Sequence, residues 1–104
     1  MARNVRVGLI QAANVINDES VPVAEIQEAM FQAHLPLIEE AGEAGVQILG
    51  LQEIFNGPYF CPGQDKRWYD AAEPADGPTV ERLRPYCQKY DMAMVVPIYE
   101  RAMA

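Results

Sequence analysis

Three short runs of strand-forming residues, VRVGLI, VQILGLQ and MAMVVPIY, are separated by two stretches whose apolar residues repeat at helical spacing, and this alternation constrains the chain most. The order strand, helix, strand, helix, strand argues for parallel strands joined by right-handed crossovers. Parallel strands need cover on both faces. Three strands and two helices do not finish that architecture, so an open sheet edge and an uncovered face are expected, to be completed by something else. No internal repeat or domain linker interrupts the pattern.

Residues 4–11 set Val5, Val7 and Leu9 against Arg6, Gly8 and Ile10, the period-two pattern of a first strand. Asn14, Asn17, Asp18 and Ser20 then crowd a loop at 12–21, since their side chains bond nearby backbone in preference to a helix or ladder. Pro22 suits a first helical turn. From 23 to about 44, Val23, Ile26, Met30, Ala33, Leu37, Ala41 and Ala44 form one helical face, and Gly45 is the expected stop. Pro36 removes a hydrogen bond inside that helix and predicts a kink or break near His34, with two shorter helices as the alternative.

The second strand is 46–52, bounded by turn signals and continuous enough in apolar residues to be buried on both sides. A long connection at 54–77 follows, holding Phe55, Tyr59, Phe60, Trp68 and Tyr69, with a short helical turn expected around 66–72. Loops of that length in a compact domain usually line a site. Gly77-Pro78-Thr79 opens a second helix that runs to about Tyr90, with Val80, Leu83, Cys87 and Tyr90 on one face and a kink expected at Pro85. The third strand is 92–99, where Pro97 cannot donate to a ladder and so marks an edge, a bulge or a terminus.

Composition narrows the function classes. At 104 residues the chain is one domain at most, and it can bury only roughly 60–70% of its unfolded surface. Eight basic against fifteen acidic residues give a net charge of −7 with no basic cluster, which argues against nucleic acid. No apolar run approaches the roughly 20 residues that cross a bilayer. MARNVRVGLIQ enters a strand pattern at once, which leaves no room for a signal peptide, so a cytoplasmic protein with no membrane partner is expected. Cys61 and Cys87 offer neither a disulfide framework nor a metal-ligand spacing, and no metal site is expected.

The chemistry centres on Glu53. A carboxylate just past the carboxyl end of a parallel strand lies where open α/β sheets bind ligands, although a strand-end charge can simply meet solvent. The glycines at 42, 45 and 50 match neither a dinucleotide fingerprint nor a phosphate loop and read as helix ends and close packing. His34, the only histidine, reads as a surface or half-buried helix residue. Cys61 follows Glu53 by eight residues, but between Phe60 and Pro62 it has no evident base or positive neighbour to make it a nucleophile. Cys87 reads as core. The loop aromatics either pack over the sheet edge or wall a substrate pocket; Tyr59 and Phe60 are the substrate-binding candidates.

The run LQEIFNGPYFCP, with RVGLIQAA before it and GPT and VVPIYER after it, closely resembles the N-terminal part of the nitrilase, or carbon-nitrogen hydrolase, superfamily. Within it the chain is most similar to the branch of β-ureidopropionase and other N-carbamoyl amidohydrolases, over essentially all of its length. The resemblance implies an α/β fold in which 1–104 is the N-terminal βαβαβ part of a four-layer α/β/β/α sandwich, incomplete by itself. It implies a Glu, Lys, Cys triad in which Glu53 matches the general base. The lysine and nucleophilic cysteine lie farther along family sequences; Lys66, Lys89, Cys61 and Cys87 do not match them. It further implies a small amide or N-carbamoyl substrate, no cofactor, and a full-length form that is a homo-oligomer. A Glu53 set between an apolar strand and an aromatic loop is expected to be partly desolvated. A non-catalytic binding module and a fragment that completes another subunit's sheet are the alternatives.

Overall fold

The computed structural model describes residues 3–63 and 65–102. Its elements run β1 (Val7–Leu9), α1 (Val23–Glu43), β2 (Ile48–Gly50), a 3-10 helix (Lys66–Ala71), α2 (Pro78–Tyr90) and β3 (Ala93–Val95). The strands form one parallel sheet in the order β1-β2-β3, with Gly8, Leu49 and Met94 in one cross-strand row. The expected βαβαβ order is therefore present, a three-stranded parallel unit with strands shorter than their apolar runs. Pro97 falls just beyond β3, an edge strand, as its missing N–H requires.

The two faces of the sheet differ in kind. On one, Leu49 packs into a core with Phe31 and Ile38 of α1, Leu83 of α2, and Val46, Leu51, Phe55 and Met92. On the other, Val7, Leu9, Ile48 and Val95 are exposed, Leu9 by 85%. The period-two alternation of a strand assigns these residues to the same face. Both helices thus serve the Leu49 face, and the opposite face carries no cover among the described residues. The Cα radius of gyration is 14.9 Å, above the ~13 Å usual for a compact domain of this length.

Helix α1 is continuous through Pro36, so neither a break nor a pair of shorter helices forms. Pro36 and Gln32 are exposed, so the carbonyl that the proline ring deprives of its partner can turn to water. The helix ends as its sequence demands: Gly45 takes φ +78°, its N–H bonds Gly42 O at 3.1 Å, and Val46 N–H bonds Ala41 O at 3.1 Å. That pair of bonds satisfies carbonyls that would otherwise be orphaned at the helix end. Pro85 is likewise exposed inside an unbroken α2. Across the two helices Arg82 forms a forked bond to Glu28 at 2.6 and 3.1 Å and lies over the Phe31 ring. The Arg82 bond first, and then the Gln32 amide, hold the Glu28 carboxyl down at about 2.

His34 corrects its expected place. It is fully buried, with Nδ1 at 2.7 Å from Met30 O and its ring edge-on to Phe55 at 5.1 Å between centroids. Its Nε2 has no hydrogen-bond partner among the described residues. A histidine whose Nδ1–H is taken by a carbonyl one turn back can sit in a core as a flat, mostly apolar ring.

Candidate functional site

The carboxyl end of β2 is where the chain gathers its unusual backbone. Ile10 N–H bonds Gly50 O at 2.9 Å and Leu51 N–H bonds Val95 O at 3.2 Å, which carries the pairing one step past each strand. Gln52 then turns its Oε1 to the Ala12 amide at 2.6 Å, and Phe55 N–H reaches Pro97 O at 3.3 Å. Glu53 is held between these two anchors. The next residue, Ile54, has φ +46°, a left-handed conformation that a β-branched side chain rarely adopts. Gly57 N–H closes the turn on Ile54 O at 3.2 Å.

Glu53 itself is exposed, so the partial desolvation expected of it is not present in this chain. The aromatic loop that follows packs on α1 instead of over Glu53. Phe60 stacks on the buried Trp68 at 5.5 Å with ring planes 8° apart, and Tyr99 tilts against it at 5.2 Å. Ile26, Ile54, Pro58 and these rings line one narrow apolar pocket. The 3-10 helix that carries Trp68 is capped by Asp65, which accepts from Arg67 N, and is tied to α1 by Gln27 Nε2 donating to Ala71 O at 3.0 Å.

Tyr59 is exposed, two residues before Cys61 in the same loop. Its phenol is pushed above the ordinary tyrosine value by a hydrogen bond with Cys61, then by the charges of Cys61 and Glu53. Of the two substrate-binding candidates, Tyr59 is therefore open to solvent and feels the Glu53 charge, whereas Phe60 is committed to the Trp68 stack. Cys61 is an exposed loop thiol. Cys87 is only partly buried on α2, less than a core residue, and burial pushes its thiol up. Lys66 and Lys89 lie on the 3-10 helix and in the last turn of α2. No cluster that could hold a metal ion occurs among the described residues, and none of the described helices is long and apolar enough to cross a membrane.

Sequence reasoning missed a second group, the buried polar residues Asn56, Glu73 and Thr79. Their signal was present. Gly77 begins α2 without a side-chain acceptor, so the amides of the first turn must find one elsewhere. Glu73, four residues earlier, supplies it: Oε1 accepts from Thr79 N at 3.1 Å and Oε2 from Thr79 Oγ1 at 2.8 Å.

Known proteins resemble this chain in sequence. The chain is 39% identical over 99 residues to a beta-ureidopropionase of Arabidopsis thaliana, an alignment that covers 95% of this chain and 24% of that protein. It is 34% identical over 67 residues to an N-carbamoylputrescine amidase of Oryza sativa subsp. japonica, covering 64% of this chain and 22% of that protein. A namesake in Solanum lycopersicum is 31% identical over the same length. The chain thus spans about a quarter of the curated relatives it matches. Residues 6–104 match the carbon-nitrogen hydrolase family, and the chain belongs to it.

Proposed function

We propose that this chain is the base-bearing N-terminal part of a hydrolase that cleaves carbon–nitrogen bonds of N-carbamoyl amines or amino acids, with Glu53 as general base. The observation that carries the reading is the position of Glu53. It stands one residue past an anchored glutamine at the carboxyl end of the central parallel strand, in a chain of this family. Family sequences supply the lysine and cysteine farther along, and the chain covers only about a quarter of its relatives.

In the complete site, the Glu53 carboxylate takes the cysteine thiol proton and the thiolate attacks the carbonyl carbon. The lysine ammonium stabilises the oxyanion. Collapse breaks a C–N bond of the carbamoyl group, the amine leaves with the proton that Glu53 returns, and an S-carbamoyl thioester remains. Water, deprotonated by the same carboxylate, then attacks it; the departing thiolate takes back that proton, and the carbamic acid released falls to ammonia and carbon dioxide. Tyr59, exposed in the loop after Glu53, is free to contact substrate, and Phe60 acts by holding that loop through its stack on Trp68. Insertion into the complete site, with the lysine at hand, supplies the desolvation that the exposed Glu53 lacks here.

The bare face of Val7, Leu9, Ile48 and Val95 favours a chain that works only when further polypeptide covers it. Residues 1–104 alone are accordingly inactive. The test is ammonia release from N-carbamoyl-β-alanine and N-carbamoylputrescine, by the gene product that carries this chain and by residues 1–104 alone. Turnover by the former only is the expected result. Turnover by residues 1–104 that depends on Cys61 would assign the nucleophile to this chain and overturn the reading.

A further inference from the structure

Glu73, Thr79 and Asn56 sit 9%, 7% and 5% exposed, in a chain whose other acidic side chains meet solvent. Buried polar groups on this scale must satisfy one another, and these do. The backbone of Glu73 is fixed as well. Its N–H bonds Tyr99 O at 3.0 Å and its carbonyl accepts from Arg101 N at 2.8 Å, a bridge to the segment that leaves β3. Its carboxylate takes both the amide and the hydroxyl of Thr79 at the start of α2. With its hydrogen given to Glu73, the Thr79 hydroxyl presents a lone pair to Asn56 Nδ2 at 3.4 Å, a long bond. Asn56 belongs to the turn that begins at Glu53.

That turn needs an external hold. Ile54 at φ +46° stores strain, and such a conformation persists only where its surroundings over-determine it. Phe55, next in the chain, is fully buried against His34. Its amide is held by Pro97 O and Gly57 N–H closes on Ile54 O, and the side chain that ties the turn to α2 is that of Asn56. We propose that Glu73 is a positioning residue whose carboxylate, through Thr79 and Asn56, locks the left-handed turn at Ile54 and so fixes where Glu53 stands. The inference rests on the catalytic reading of Glu53 for its purpose, but the linkage itself is independent of turnover.

Hydrogen exchange of individual amides, followed by NMR on the chain, tests it. Thr79→Val keeps the backbone bond to Glu73 and removes only the hydroxyl relay. The Phe55 and Gly57 amides are expected to exchange roughly two- to tenfold faster, the range for one lost hydrogen bond. The Thr79 amide should stay protected. Thr79→Ser, which keeps the hydroxyl, should restore the wild-type pattern. Glu73→Gln, which cannot accept from both Thr79 groups, should loosen Phe55, Gly57 and Thr79 together while Ile38 and Leu49 stay unchanged. A change confined to the first turn of α2, or one spread evenly over α1 and the sheet, overturns the proposal, since either makes Glu73 a cap or a general stabiliser only. If Glu53→Gln left turnover intact while these amides behaved as described, the linkage would stand and the catalytic reading would fall.

Discussion

Replacing Phe55 by alanine tests the fold where it meets the site. The ring is 0% exposed, packed edge-on by His34 at 5.1 Å, and shares a core with Leu49, Leu51 and Leu83. Removing a buried phenylalanine costs about 3–5 kcal/mol, the transfer of its carbons plus the cavity they leave. A domain of this size has only about 5–15 kcal/mol to lose, and a sheet covered on one face belongs at the low end. Urea titration followed by far-ultraviolet circular dichroism, extrapolated linearly, measures the loss. Leu9→Ala is the matched control: Leu9 is as apolar but 85% exposed, so in this chain its truncation should fall within about 0.5 kcal/mol of wild type. Equal losses at both positions would show that the outer face is covered, and a loss below about 1 kcal/mol at Phe55 would refute the core described here.

Other consequences follow from single contacts. A Cβ at Gly42 would fall on the Tyr90 ring, so Gly42→Ala should cost roughly 1–3 kcal/mol by overpacking, read as a lowered urea midpoint. Gly45→Ala puts a side chain at φ +78° and should cost about 1–2 kcal/mol. Glu28 should titrate at about 2, not at its ordinary 4.5, in carbon-detected NMR. Because its folded value is depressed, its contribution to stability is complete above about 4.5 and is lost as pH falls towards 2, and Arg82→Ala should return the midpoint towards the ordinary value.

The order of elements was legible because each depends on a local signal: Gly45 at the end of α1, Pro78 at the start of α2, and β-branched runs for the strands. Pro36 misled about a helix break because exposure, which decides whether a deprived carbonyl can turn to water, is a tertiary property. His34 was misplaced for a related reason. A polar type on a helix reads as surface until a carbonyl one turn back takes its Nδ1–H and Phe55 takes its edge. The candidate site was half legible. The place of Glu53 at the strand end follows from the apolar run before it and the turn signals after it, and the uncapped Gly77 points to an acceptor such as Glu73, whereas the extension of that cap through Thr79 to Asn56 spans three segments and has no spacing to announce it.

Whether Glu53 is the base is decided by Glu53→Gln in the gene product that carries this chain. The substitution is nearly isosteric at an exposed position, so far-ultraviolet circular dichroism and the urea midpoint should match wild type. Ammonia release from the N-carbamoyl substrate that the wild type hydrolyses should fall by about 100- to 10,000-fold, the usual contribution of a positioned general base. Turnover within a few-fold of wild type, in a protein with unchanged fold, would place the base elsewhere.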